Sequence, residues 1–536
     1  MAGADAPRPT AAAVLGRPAV FWPLAAALAV AGAVPQFLSR LTPDAAWYLY
    51  VARRVLDGAR LYVDVHEINP PLIVVLSAPA AAVGAWTGLP DIQLFRAFAL
   101  LLVAGSLAAA GTLLRRLPGP AARGAAGAIV LLWLFALLPL TRDDFGQREH
   151  LLLALALPYL AAASLRGAGE RPPRGLALLA GVMAGLGMAL KPHFALLWLG
   201  VEAYLWARAR RGPPWRRVES ALAAAVPALY GVLVVLLTPA YLDLVRHVGG
   251  AYGAYLRNSP LAILVHEPWA ALPVVALIAT LALRPADVAL ARLAELLAVA
   301  AAALLLAALA QQKGWRYHLY PAFATATVLL GVLVLVPRAD AGSLGARTYA
   351  AIARLLVAGV VAATLAGAVR QAARPRDARY EPYPEFPVLL DVVRAHRERG
   401  GGALLALSNN LRAAFPLVNY GGVPWASRFN ATWLLAVSYA PELMSGRPLV
   451  YRDRAAMGPA ERFLNDAMYE DMARARPTLL VVERPLPAGG NPVRRLDYLA
   501  YFRRDPRLAR LLADFRKIRD VGDFEVYERV APSGAP

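Results

Sequence analysis

The chain has 536 residues, 59% of them hydrophobic, and a formal net charge of +20. A mean hydropathy of +0.48 excludes a soluble globular protein of this length, and repeated apolar runs of roughly 17–25 residues mark transmembrane helices. The positive charge then belongs to basic loops at a membrane face rather than to a nucleic-acid surface, and the absence of cysteine excludes a disulfide framework or a cysteine metal site.

In chain order, residues 1–18 read as a cytoplasmic tail, with Arg8 and Arg17 ahead of an apolar run over 20–34 that resembles an uncleaved signal-anchor. Segment 43–71 opens with Asp44 and closes with Glu67 ahead of Asn69-Pro70-Pro71. Between them Trp47, Tyr48, Tyr50, Val51, Val55 and Leu56 form an apolar stripe at helical spacing, with Arg53, Arg54 and Asp57 opposite. That pattern predicts a helix on the membrane surface with its aromatics at headgroup level.

Eleven spans are expected, near 19–38, 92–115, 123–140, 149–165, 175–190, 194–208, 218–238, 268–284, 292–309, 318–337 and 349–369. The short apolar stretch 72–87, interrupted by Pro79, is treated as re-entrant or interfacial. One side then collects Arg115, Arg116, Arg123, Arg166, Arg171, Arg174, Arg208, Arg210, Arg211, Arg216, Arg217, Arg284, Arg292, Arg338 and Arg347. The positive-inside rule makes that side cytoplasmic. His66, His150, His193, His247, His266 and His318, six of the seven histidines, fall on the other side together with most acids. A catalytic cavity opening outward needs such a convergence of polar groups.

From residue 374 the chain turns polar, with a proline-rich hinge at 374–387. Stretches 403–408 and 478–483 read as buried strands, and 515–519 with 524–529 as a hairpin. Helical patterns occupy about 388–399, 459–474 and 494–514. The expectation is a mainly α, polytopic transmembrane bundle over 19–370 and a soluble α/β domain over 371–536.

Five groups stand out chemically. Asp44 is placed to act as a general base or to cap a helix. Glu67, with His66, is suited to a cation or an acceptor, or to stabilising its loop. In the run TRDDFGQREH, Asp143 and Asp144 are hard oxygen ligands for Mg²⁺, Mn²⁺ or Ca²⁺, and Glu149 and His150 begin the next helix. Lys191-Pro192-His193 joins two apolar helices with almost no loop, so its ammonium needs a partner such as phosphate, or must snorkel. In QQKGWRYHLYP, Lys313, Arg316 and His318 cluster at helix ends, as a phosphate bracket or as an interface belt. Lysine occurs only at 191, 313 and 517 in this arginine-rich chain, so two of three lysines fall in these groups.

One span, an acid with aromatics, a surface helix ending in Asn-Pro-Pro, an outer acidic loop, a Lys-Pro junction, and Lys313, Tyr317 and Pro321 at Lys-x3-Tyr-x3-Pro spacing follow in order. The order resembles the GT-C superfamily of membrane glycosyltransferases, in particular the branch of protein O-mannosyltransferases and lipid A aminoarabinose transferases. The resemblance implies a multi-pass inner-membrane enzyme with its active site and C-terminal domain periplasmic. It implies a polyprenyl-phosphate sugar as donor, inversion at the sugar, and a glycan, lipid or protein as acceptor. Asp44 then corresponds to the family's essential acid, with Glu67 the other catalytic candidate; Asp143 or Asp144 sits near the metal or donor phosphate, with a divalent cation (Mg or Mn) as the cofactor to expect. Lys191, Lys313 and Arg316 hold that phosphate, and His66, Glu149, His150, His193, Tyr317 and His318 are the expected substrate contacts. The first loop departs from the pattern, reading Asp-Ala-Ala where many members carry two adjacent acids. Two other classes fit a polytopic chain. A lipid or solute transporter would place its charges near mid-span, and an envelope-assembly subunit would tolerate replacement of its outer polar residues.

Overall fold

The computed structural model of the chain describes residues 10–207, 213–339, 344–373, 384–445, 448–486 and 492–530. Arg208, Arg210 and Arg211, and most of the expected hinge, lie outside the described residues. In chain order the first helices are α1 (Ala11–Leu15), α2 (Pro18–Leu38), α3 (Pro43–Leu56), α4 (Leu72–Thr87), α5 (Asp91–Leu114), α6 (Pro120–Leu137), α7 (Arg148–Ala168) and α8 (Arg174–Ala189). They continue with α9 (Ala195–Ala207), α10 (Val218–Leu237), α11 (Pro239–Ala254), α12 (Pro260–His266), α13 (Pro268–Ala282), α14 (Val288–Gln311), α15 (Arg316–Leu335) and α16 (Leu344–Ala373). The C-terminal part holds α17 (Glu385–Glu398), β1 (Leu404–Leu407), α18 (Leu417–Gly421), α19 (Trp433–Ser438), α20 (Ala440–Met444) and α21 (Pro459–Ala475). It ends with β2 (Leu479–Glu483), α22 (Tyr498–Phe502), α23 (Pro506–Ala513), β3 (Phe515–Val521) and β4 (Phe524–Arg529).

Among the described residues eight helices are long and apolar enough to cross a membrane, or nine if α12 and α13, bent by 88° at their junction, count as one span. That is fewer than eleven. The expected spans 175–190 and 194–208 are α8, of 16 residues, and α9, of 13. At 1.5 Å per residue these reach only about 24 and 20 Å, short of a hydrocarbon core of about 30 Å. Apolar content alone marked them as spans; a 3-10 turn at Pro192–Phe194 sets their length.

The chain forms two compact units. The first comprises Met1–Ser39, Phe95–Leu233 and Asn258–Ala373. Its core is α7, buried from Arg148 to Leu165, with α14 and α15. Small residues let backbones approach. A Cβ at Gly185 of α8 would lie 2.5 Å from Val226 Cβ of α10, and one at Gly187 3.1 Å from Leu155 Cβ of α7.

The second unit comprises Arg40–Leu94, Val234–Arg257 and Arg374–Pro536. Its sheet has strand order β1-β2-β4-β3, with β1 and β2 parallel and the other pairs antiparallel. The hairpin and both buried strands lie where the sequence pattern places them. The expected single helix over 494–514 is instead broken into α22 and α23. Asp497 and Asp505 cap the two pieces, accepting from Ala500 N and Arg507 N at 2.9 Å each, and Pro506 starts the second.

In the same unit α3 packs on α4 and on the C-terminal residues. The Trp47 ring meets Phe415 edge-on at 4.9 Å, and Tyr50 lies 5.3 Å from the same ring. Asn419 Nδ2 donates to Ala46 O at 3.1 Å, and Leu41 N donates to the Tyr420 hydroxyl at 3.1 Å. The aromatic stripe therefore corrects the expectation of headgroup-level aromatics. Trp47, Tyr48 and Val51 are buried in protein, and only Val55 and Leu56 at the helix end are exposed. An apolar stripe specifies burial, not what covers it.

Candidate functional site

Polar side chains that chemistry requires gather in the first unit where α7, α14 and α15 begin or end. Arg142–Asp144 form a 3-10 turn, so Asp144 is buried while Asp143 stays exposed. Arg316, in the first turn of α15, pairs with Asp144 and lies 5.2 Å over the Trp269 ring and 5.4 Å over Phe323. Burial pushes the Asp144 carboxyl up to about 7 against the pull of Arg316, with Asp143 and Glu149 adding repulsion.

A second group is centred on Lys191. Its ammonium donates to Glu149 Oε1 at 2.5 Å and Gln311 Oε1 at 2.7 Å, and lies 3.3 Å from His318 Nε2. The Phe194 and Tyr317 rings are each 5.8 Å away. An ammonium only donates, so His318 Nε2 accepts and the ring proton sits on Nδ1. His318 Nδ1, His193 Nε2, Glu149 Oε2 and Arg316 Nη2 are buried polar atoms with no hydrogen-bond partner among the described residues. Burial first, then the Lys191 and Arg148 charges, hold the His193 ring down at about 3, so it stays neutral.

Arg148, Lys191, Lys313, Glu149 and Asp144 are all buried, and Arg316 is half-buried. Basic and acidic side chains thus lie close together in a buried region. The unmatched polar atoms of His193, His318 and Arg316 beside them suit an oxygen-rich anion.

The divalent-cation expectation does not fit these residues. A guanidinium occupies the carboxylate of Asp144, Asp143 is exposed, and no group of three His, Cys, Asp or Glu suited to a metal occurs among the described residues. His150 is corrected as well. Its Nδ1 accepts from Gly146 N at 3.1 Å and its Nε2 meets Leu137 O at 2.9 Å, leaving neither nitrogen for a substrate. Sequence reasoning passed over Arg148, Gln311 and Trp269. Arg148 and Gln311 lie inside the two polar runs already singled out, and an arginine between Gln and Glu in an otherwise apolar context was the available signal.

In the second unit Thr42 is the N-cap of α3, Pro43 its first residue, and Asp44 lies in the first turn, half-buried. Asp44 is therefore not the cap; it gains from the positive end of the helix dipole. Glu67 is buried and heavily engaged. It accepts from Trp47 Nε1 at 2.5 Å and from Asn69 N at 2.8 Å, with the Asn69 amide on the same oxygen. These bonds bind the Asn-Pro-Pro turn to α3, which is the loop-stabilising role. His66 stacks on Phe463 at 5.5 Å and meets Phe429 edge-on at 4.9 Å. Burial drives its ring down to about 3, with Arg428 adding to the effect.

No family model matches the chain, and no curated protein matches it in sequence. Among solved structures, ArnT from Cupriavidus metallidurans in the apo state aligns with 96% of this chain and 98% of its own, at a TM-score of 0.55 and 17% identity. The archaeal oligosaccharyltransferase AglB from Archaeoglobus fulgidus, in complex with an inhibitory peptide and a dolichol-phosphate, aligns over 96% of this chain and 74% of its own, at a TM-score of 0.46 and 12% identity. The fold shared with ArnT is that of a multi-pass helical bundle with a C-terminal α/β domain.

Proposed function

We propose that the protein is a membrane glycosyltransferase that moves a sugar from a polyprenyl-phosphate donor to an acceptor hydroxyl with inversion. The observation that carries this reading is the buried, cation-rich cluster around Lys191 and Arg316, with its unmatched donors on His193, His318 and Arg316. A fold shared with ArnT, a lipid A aminoarabinose transferase, agrees with it, although fold by itself carries no activity.

In this reading Lys191, Lys313 and Arg316 hold the donor phosphate, and the neutral rings of His193 and His318 donate to its oxygens. The acceptor oxygen attacks the anomeric carbon. The bond from that carbon to the phosphate oxygen breaks, and its electron pair stays on the lipid phosphate. Asp44 takes the acceptor proton. The preorganised cations stabilise the negative charge as it develops on the phosphate, the task a metal would otherwise have. Glu67 positions α3 through Trp47 rather than touching substrate. The reaction runs at the periplasmic face of the inner membrane, where the C-terminal domain also lies, on a glycan, lipid or protein acceptor.

The test is intact-glycan mass spectrometry of the cell envelope, in a deletion strain complemented with wild type or with Asp44→Asn. The expected result is a glycan lacking one sugar in the Asn strain, with normal membrane levels of the variant. An unchanged profile in the deletion strain itself would overturn the reading.

A further inference from the structure

The second unit contains a cleft of about 550 Å³ that the transfer reaction, as described, does not use. Its size lies within the ~300–1,000 Å³ of small-ligand sites. The C-terminal end of α3 supplies Tyr50 and Arg54, the following loop Asp57 and Asp64, the segment after β1 Trp425 and Ser427, and the end of α21 Arg474.

The charges are not balanced in their availability. Asp57 is 3.8 Å from Arg53, and Asp64 takes two hydrogen bonds from the Arg60 guanidinium, which hold its carboxyl below the usual range. Both acids of the cleft thus have their own arginine. Arg54 is exposed and has no carboxylate within ion-pair distance among the described residues. Arg474 gives one nitrogen to Asp471 at 2.9 Å, yet its side chain remains 58% exposed. Two guanidinium groups are therefore open to an anionic ligand in a cleft that Tyr50 and Trp425 also line. Burial raises the Tyr50 hydroxyl above its ordinary value, so it stays protonated as a hydrogen-bonding group.

The same helix carries Asp44 in its first turn. Ten residues separate Asp44 from Arg54, about 15 Å along the axis. A ligand reaching from one to the other is a chain of several sugar rings, not a single one.

We infer that this cleft binds an acidic saccharide, bearing ring carboxylates or phosphates, as the part of the acceptor remote from the reacting hydroxyl. The inference rests on the proposed transfer reaction for the word acceptor, but the binding stands apart from catalysis. Arginine forks suit carboxylate and phosphate groups, and contacts far from the reacting atoms supply energy for orientation.

The experiment is calorimetric titration of the full-length protein in detergent with tetragalacturonic acid, and with maltotetraose as the neutral control. Wild type is expected to bind the acidic tetramer at least about ten-fold more tightly than the neutral one, with affinity falling as salt rises. The double variant R54Q/R474Q is expected to lose about ten-fold for the acidic probe. Ala59→Trp, which fills the cleft without changing charge, is expected to lose it too. No binding by wild type, equal binding of the two probes, or undiminished binding by both cleft variants would overturn the inference, whatever the glycan analysis of Asp44→Asn shows. Conversely, intact binding beside an unchanged envelope glycan profile would remove the transfer reaction and leave the saccharide site.

Discussion

At the residue scale, the Lys191–Glu149 pair is the point of highest leverage. Both groups are buried, so the pair's value lies in mutual compensation rather than in net stabilisation. Replacing Lys191 by Met takes away the hydrogen-bonded partner of the buried Glu149 carboxylate and should cost about 3–5 kcal/mol. Adding Glu149→Gln should recover most of that stability, while sugar transfer stays lost because the phosphate-holding ammonium is gone. Thermal unfolding beside envelope-glycan analysis reads both quantities, and transfer by the double variant would remove Lys191 from the phosphate site.

Asp144 gives a pH dependence of definite sign. Its carboxyl is raised by burial to about 7, above the ordinary 3.8. Between those values the folded state holds a proton that the unfolded state has released, so stability falls as pH rises through the window and levels off above about 7. Unfolding temperatures of wild type and Asp144→Asn, measured from pH 5 to 8, should converge at the acid end and separate toward pH 7. A constant difference would mean that Asp144 stays ionised beside Arg316 throughout.

At the element scale, close approach and capping decide what the apolar pattern leaves open. Gly185→Leu would drive a side chain into Val226 and push α8 off α10, lowering the yield of folded protein in membranes. The Asp505 cap has a second task, since its carboxylate also accepts from Asn465 Nδ2 at 2.9 Å. Asp505→Ala should cost about 1 kcal/mol for the cap, and more for the buried amide left unmatched. Chemical denaturation that shows no loss would mean α23 needs neither contact.

At the scale of the whole molecule, the sidedness proposed from arginine placement has a direct test. A reporter inserted in 169–173, beside Arg171 and Arg174, should read cytoplasmic, and one at the C-terminus periplasmic. The opposite pair of readings would move the Lys191 cluster to the cytoplasmic side and remove a periplasmic reaction.

Much of this was legible in the chain itself. Long apolar runs fix the spans because lipid demands internally satisfied backbones, and short continuous apolar runs marked β1 and β2, which are buried at every position. The polar runs at 141–150, 191–193 and 311–321 stood out because charge is rare in apolar sequence. What the sequence determined was thus which residues must avoid lipid and which segments are regular. The tertiary structure alone decided their partners. It turned Trp47 into protein rather than headgroups, made His150 a backbone clamp, paired Asp144 with Arg316, and gathered Arg148 and Gln311 with Lys191 and His318. Periodicity carries the need for burial, but the partner that meets it can be more than a hundred residues away and leaves no local mark on the chain.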